Sequence, residues 1–199
     1  MTKIKICGLT RSEDIWAANR YKPDYIGFVF AKKSRRYLTE RQAVQLKRML
    51  SDEIQAVGVF VNETKETVAR LLCERTIDIA QLHGQETEQD IRWIREQTGR
   101  PVIKAVAVQS ILDMDRWQES SADYLLFDNG AGGTGCTFDW DLIAGCEKPF
   151  FLAGGIGPDN LADALTKGAY AIDLSSAAET NGYKDPRKIG ELIKMVREY

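Results

Sequence analysis

The chain has 199 residues and 22.4 kDa, is 44% hydrophobic and 28% charged, and sets 27 basic against 29 acidic residues for a formal net charge of −2. This excludes disorder, collagen and coiled coil for the chain as a whole and predicts one globular domain over residues 1–199. It also argues against a broad basic face while leaving room for local cationic pockets, so no nucleic-acid partner is expected, and no apolar run reaches the roughly 18 residues of a membrane helix.

The start, Met-Thr-Lys-Ile-Lys-Ile-Cys, lacks the apolar stretch of a secretory leader. The first strand is predicted at Lys3–Cys7, followed by a helix over Glu13–Tyr21 capped by Ser12. The apolar run Tyr25–Phe30 gives the second strand, and Thr39 opens a helix reaching about Leu50. Gln55–Val61 is the third strand; Glu63 and Thr64 lead into a helix ending near Glu74. Asp78–Leu82 is the fourth, with a helix from Thr87 to Gln97 stopped by Gly99-Arg100-Pro101. Further strands are expected at Val102–Val108, Tyr124–Asp128, Phe150–Ala153 and Tyr170–Leu174. Pro158 suits the first turn of a helix ending near Lys167-Gly168, and Pro186 starts the last one. The strands begin about 20 to 30 residues apart, the size of one strand–helix unit. Most are apolar throughout, as parallel strands covered on both faces are. Eight such units predict an α/β fold, a single (β/α)8 (TIM) barrel with tight loops. The alternative, an open doubly wound sheet, would carry a glycine fingerprint after its first strand, where this chain has Cys7-Gly8-Leu9-Thr10.

In barrels of this kind functional groups gather at the C-terminal ends of the strands, and alternation along a strand tells which residues share a face. Lys3, Lys5 and Cys7 face one way, and the isoleucines between them suit the helix layer. The same parity groups Gln81 with His83, Tyr124 with Asp128, and Asp173 with Ser175. A thiol, carboxylates and an imidazole converging inside a barrel are costly for an apolar core, so they are read as a site. Taken singly, Cys7 also fits a small buried hydrophobe, Asp128 a loop cap, and His83, the only histidine, an orienting donor at the rim.

Cysteines stand at 7, 73, 136 and 146 without C-x-x-C spacing, so no metal is expected and the thiols are read as reduced and cytoplasmic. Glycine signals follow the last strands. Gly154 and Gly155 close the seventh, Ser175 and Ser176 the eighth, and Gly132-Gly133-Thr134-Gly135 follows the sixth. Loops after strands seven and eight are the recurrent phosphate site of such barrels, where amides and hydroxyls meet an anion. Lys32, Lys33, Arg35 and Arg36 follow strand two; they fit a solvated face, or one guanidinium that grips a carboxylate. Lys104 is either a Schiff-base lysine of an aldolase or a rim or floor lysine of the barrel. A non-catalytic sugar-phosphate-binding barrel is the remaining alternative.

These residues resemble the phosphoribosylanthranilate isomerase family of tryptophan biosynthesis. The likeness runs in order from Lys5-Ile-Cys-Gly-Leu-Thr10 through Gly27-Phe-Val-Phe30, Ser34-Arg-Arg-Tyr37 and Gly58-Val-Phe-Val-Asn62. It continues in Gln81-Leu-His-Gly84, Leu126-Phe-Asp128, Gly132-Gly-Thr-Gly135, Phe138-Asp-Trp140, Ala153-Gly-Gly155, Asn160, and Asp173-Leu-Ser-Ser176 with Glu179. The resemblance implies a (β/α)8 barrel without cofactor or metal, acting on a small phosphorylated aminosugar as a monomer or homodimer. It implies Cys7 as general base, Asp128 as general acid, and Arg36 as the anchor of the anthranilate carboxylate. Gln81, His83, Gly154, Gly155, Asp173, Ser175 and Ser176 complete the expected substrate-binding set. Such roles call for an Asp128 carboxyl raised from about 3.9 and a Cys7 thiol lowered from about 8.5. One departure is Ala177-Ala178, where the family often has Gly after the paired serines; two alanines predict ordinary φ < 0 geometry there.

Overall fold

The chain was analysed as a computed structural model that describes residues 1–130 and 137–199. Eight parallel strands close into a barrel in chain order: β1 (Lys3–Cys7), β2 (Tyr25–Val29), β3 (Gln55–Phe60), β4 (Ile79–Leu82), β5 (Val102–Ala107), β6 (Tyr124–Asp128), β7 (Phe150–Leu152) and β8 (Ala171–Leu174). The seam joins β1 to β8, with Lys5 opposite Asp173 and Ile6 opposite Leu174. Helices α1 (Ser12–Tyr21), α2 (Glu40–Lys47), α3 (Lys65–Cys73), α4 (Glu88–Thr98), α5 (Ile111–Gln118), α6 (Leu161–Thr166) and α7 (Pro186–Glu198) cover the outside. Between β6 and β7 the described residues hold a short 3₁₀ turn, Trp140–Ile143. Between β8 and α7 stands a small hairpin of β9 (Glu179–Thr180) and β10 (Tyr183–Lys184). Among the described residues no helix is long and apolar enough to cross a membrane.

The two-residue alternation of each strand divides the core into two layers. Ile4, Ile6, Ile26, Phe28 and Leu125 face the helices, whereas Tyr25, Val57, Ile79, Ile103, Leu126 and Phe151 fill the barrel. The floor is aromatic. Tyr25, Tyr124 and Tyr170 surround Phe151 with ring centroids 5.3, 5.6 and 5.8 Å away, and the hydroxyls of Tyr25 and Tyr170 lie 3.0 Å apart. With the floor plugged, open space remains at the opposite end, where the strands terminate.

Three aspartates fasten neighbouring strands at that floor. Asp24, Asp78 and Asp123 each precede an even-numbered strand and accept the N–H of Ile4, Ala56 and Val102 on the odd-numbered strand before it, at 3.0, 2.8 and 2.9 Å. Each supplies an acceptor to a buried amide at a strand start, where the ladder has none to offer.

The helix starts depart from expectation at three places. Ser12 is the first residue of α1, not its cap. Arg11 occupies the cap position, and the Asp14 carboxylate reaches back to the N–H groups of Thr10 and Arg11 at 2.8 and 3.0 Å. Pro158 lies in a turn, and α6 begins only at Leu161, because Asn160 spans the loop by accepting from Gly157 N–H and donating to Gly155 O. Helix α5 was not marked from sequence, although Ser110 and Asp113 form a capping box there. Its exposed Ile111 and Leu112 blur the amphipathic period that would have revealed it.

Replacing Asp24 by Ala leaves the Ile4 amide buried without an acceptor. We expect a loss of about 1–3 kcal/mol in denaturant unfolding, with the barrel otherwise intact by circular dichroism.

Candidate active site

The strand ends surround a cavity of about 460 Å³ lined by Cys7, Arg36, Gln81, His83, Asp128, Gly154, Gly155, Asp173, Ser175 and Ser176. Cys7, Asp128 and the eight expected substrate-binding residues therefore lie on one surface. Val29, Ala31, Val59 and Val61 supply an apolar wall on the side of β2 and β3.

Cys7 ends β1 opposite Gly27 on β2. A Cβ at Gly27 would lie 2.6 Å from the Cys7 sulfur and 3.0 Å from its Cα, so only glycine leaves the thiol its place. Two residues back on the same face, fully buried Lys5 donates to Asp173 Oδ2 at 2.7 Å. Burial pushes the Cys7 thiol up; Lys5 and Lys184 pull it down and Asp173 pushes it further up. The thiol thus sits above its ordinary value in the free chain, contrary to the fall expected from sequence, because burial outweighs the two ammonium groups. For Lys5, burial works to lower the pKa, but Asp173 and Cys7 outweigh it and hold the ammonium charged.

Asp128 ends β6, three strands from Cys7 around the barrel. Its Oδ1 accepts the Gly130 N–H at 2.9 Å and its Oδ2 lies 2.9 Å from His83 Nε2. On the far side of the imidazole, Gln81 Nε2 stands 2.9 Å from His83 Nδ1. Gln81 and His83 come to one side of β4 through the parity read from sequence.

Arg36 is less open than expected. Its Nε and Nη2 donate to the two oxygens of Glu179 at 2.6 and 2.9 Å. Lys184, buried, donates to Glu179 Oε1 at 2.6 Å and to Ser175 O at 2.9 Å. The side chain of Arg36 crosses directly over Gly8, where a Cβ would fall 2.3 Å from its Cδ and φ is +87°. Lys184 was missed, and Glu179 was noted only through the resemblance. Both belong to the β9–β10 hairpin, whose tip, Asn181-Gly182, has φ of 53° and 82°. Asn-Gly is a strong hairpin signal, so the sequence held a pointer to it.

On the β7 side, Gly154 and Gly155 have φ of +83° and +64°, and a Cβ at Gly154 would come within 3.2 Å of the Asn129 amide nitrogen. The Ser175 hydroxyl donates to Cys7 O at 3.1 Å. Ser176, Ala177 and Ala178 form a 3₁₀ turn in which no alanine adopts positive φ. The Gly132-Gly133-Thr134-Gly135 loop lies outside the described residues. Lys104 is neither rim nor floor of the barrel interior. It points into the helix layer, where it donates to Gly84 O at 2.7 Å, pairs with Glu86 at 3.2 Å and stands over the Trp117 ring. It does not line the cavity that holds Cys7.

Fold and site together define a (β/α)8 barrel whose polar mouth sets a thiol and a carboxylate among cationic and glycine-rich loops. Residues 4–195 match the model of the N-(5'-phosphoribosyl)anthranilate (PRA) isomerase family. The chain is similar to the N-(5'-phosphoribosyl)anthranilate isomerase of Endomicrobium trichonymphae, with 46% identity over 99% of both chains. To that of Thermoanaerobacter sp. (strain X514) it is 42% identical over 99% of this chain and 98% of the relative. Among solved structures, the phosphoribosyl anthranilate isomerase of Thermus thermophilus superposes with a TM-score of 0.90 at 32% identity over 99% of each chain. A phosphoribosyl anthranilate isomerase in complex with reduced 1-(o-carboxyphenylamino)-1-deoxyribulose 5-phosphate superposes at 0.88 with 34% identity over the full length of both. The chain belongs to the N-(5'-phosphoribosyl)anthranilate isomerase family.

Burial alone would raise the Glu179 carboxyl, but the hydrogen bonds from Arg36 and Lys184 outweigh it and hold it below its ordinary value of 4.5. A carboxyl depressed on folding adds stability above its unfolded pKa and loses it as pH falls through the folded one. Glu179→Gln should therefore lower Tm at pH 7, and the gap to the parent should narrow as pH falls below 4.5. A gap unchanged between neutral and strongly acidic pH would contradict this assignment.

Proposed function

We propose that the chain converts N-(5'-phosphoribosyl)anthranilate to 1-(2-carboxyphenylamino)-1-deoxyribulose 5-phosphate, an Amadori rearrangement in tryptophan biosynthesis, with Cys7 as base and Asp128 as acid. The observation that carries this reading is the common cavity of Cys7 and Asp128, with Arg36 on the β2 loop and Gly154-Gly155 on the β7 loop. The substrate has an anion at each end and a reacting sugar between them, and the cavity offers matching groups in that order. The phosphate is assigned to the amides of Gly154 and Gly155 with Ser176. The carboxylate is assigned to Arg36, and the aromatic ring to the wall of Val29, Ala31, Val59 and Val61. Since Glu179 already holds Nε and Nη2 of Arg36, the incoming carboxylate meets a guanidinium fixed in direction. Asp173 Oδ1, buried without a partner, is left to accept a sugar hydroxyl.

In this reading Asp128 protonates the furanose oxygen, the C1'–O bond breaks and the nitrogen lone pair forms the iminium. Cys7 takes the proton from C2', giving the enolamine. Protonation at C1' and loss of the hydroxyl proton give the ketone, so the product is an isomer of the substrate. The thiol raised by burial is a stronger base once ionised, and Lys5 and Lys184 are the cations that favour its ionisation. The enzyme is assigned to the cytoplasm, as a monomer or homodimer acting on a small-molecule substrate, with no nucleic-acid or membrane partner.

Turnover of phosphoribosylanthranilate, followed by loss of its fluorescence, tests the reading. Cys7→Ala and Asp128→Asn should each lower kcat by about 10²–10⁴, whereas Arg36→Met should act mainly on KM. Near-parental kcat in the Cys7 or Asp128 variant, with chemistry rate-limiting, would refute the roles.

The phosphate assignment has its own check. Gly155→Val should weaken binding of inorganic phosphate strongly, since it places a branched side chain at φ +64° in the anion's space. Ala177→Gly should change stability by under about 1 kcal/mol and leave phosphate binding near parental. Tighter binding in Ala177→Gly with no effect in Gly155→Val would move the anion to β8.

A further inference from the structure

Gln81 is buried, 1% exposed, and lines the cavity. Its amide nitrogen donates to His83 Nδ1, while its carbonyl oxygen, also buried, has no hydrogen-bond partner. An acceptor left idle inside a fold is rare enough to need a reason. The rest of the chain of contacts supplies one. With Nδ1 accepting, the neutral imidazole carries its proton on Nε2 and donates it to Asp128 Oδ2 at 2.9 Å, while Gly130 N–H donates to Oδ1. This is the bonding of an ionised Asp128. The acid step requires the opposite state. A protonated Oδ2 would face the Nε2 proton, donor against donor.

The same three side chains have a second arrangement in which both imidazole contacts are again donor to acceptor. Rotating the Gln81 amide by half a turn brings Oε1 to Nδ1. A proton taken up at Nδ1 from a solvent hydronium, which leaves as water, and the Nε2 proton passed to Asp128 leave the imidazole neutral, protonated at Nδ1. Nε2 then accepts from Asp128, and Oε1 accepts from Nδ1. One proton enters and one is delivered, and the carbonyl oxygen idle in the first arrangement becomes the acceptor for Nδ1, its former place passing to the amide nitrogen.

We propose that Gln81 is a positioning residue for the acid step: its amide orientation selects the His83 tautomer, which in turn decides whether Asp128 is bonded as carboxylate or as acid. The inference rests on the reading of Asp128 as the proton donor. Gln81 does not touch the reacting atoms in this scheme.

His83 is the only histidine in the chain, so imidazole ¹⁵N resonances of the labelled, full-length protein report it without assignment. In the parent at neutral pH, Nε2 should show the protonated and Nδ1 the unprotonated resonance. Gln81→Met, of similar volume, removes the selection: the two resonances should move toward averaged positions, and kcat should fall about tenfold with KM near parental. Gln81→Glu, which can only accept at Nδ1, should shift the Nδ1 resonance to the protonated position. Both resonances unchanged in both folded variants would overturn the proposal, as would a parental kcat in Gln81→Met. Should the methionine variant not fold, the Gln81→Glu spectrum decides alone. Asp128→Asn turnover distinguishes the two levels: full activity there would remove the acid itself, whereas unchanged resonances in the Gln81 variants would remove only the relay.

Discussion

The hydrogen-bonded seam between β1 and β8 is the constraint on which the site depends. It closes the barrel, and its register decides what stands beside Cys7. Lys5 pairs with Asp173 across it, and the Ser175 hydroxyl ties the loop after β8 to Cys7 O. A slip of one residue would exchange the two faces of β1. Ile4 and Ile6 would then enter the barrel, and Lys5 and Cys7 would be pressed into the helix layer. The thiol, its neighbouring ammonium and that ammonium's carboxylate therefore depend on one register.

Charge is distributed unevenly around the mouth. Near β1, β2 and β8, Lys5, Arg36 and Lys184 are set against Asp173 and Glu179, leaving one positive charge over. Buried pairs of this kind contribute little net stability, because desolvation offsets much of their attraction. What they do is fix direction. Glu179 grips two nitrogens of Arg36 and shares an oxygen with Lys184, so the guanidinium plane is set before any anion arrives. Across the cavity, Asp128 is held by neutral donors, an imidazole and a backbone amide. The cavity is thus electrostatically polarised, with its cations on the thiol side.

Strand parity was the most informative signal in the sequence. It directs Cys7, Gln81, His83, Asp128 and Asp173 toward one space, since alternation in a strand follows from the backbone alone. Parity names a face, not a partner, and it does not reach Arg36, which lies on the loop after β2; its engagement with Glu179, 143 residues away, leaves no trace in the spacing. At Lys104 alternation does give the face, since Ile103 and Ala105 on either side fill the barrel, but it does not name Glu86 as the partner. The short β9–β10 hairpin escaped because two-residue strands leave no periodic trace, although its Asn181-Gly182 tip did. Ser12 fits the usual preference for a cap, but the helix start is held instead by the Asp14 carboxylate, which is supported by Arg11 at 2.7 Å and reaches back to the N–H groups of Thr10 and Arg11.

The seam also has a consequence for how the protein comes into being. Lys5 and Asp173 lie 168 residues apart in sequence, and Arg36 and Glu179 lie 143 apart. During vectorial synthesis β1 leaves the ribosome well before β8, and it has no partner on its open edge until β8 follows. For that interval an apolar strand edge stands exposed, and a buried lysine waits for the carboxylate that neutralises it. Contacts of such long range fold slowly and leave partly formed sheets open to misassembly. The nascent barrel's vulnerable state is therefore a seven-stranded open sheet, and its window of risk ends when the eighth strand docks.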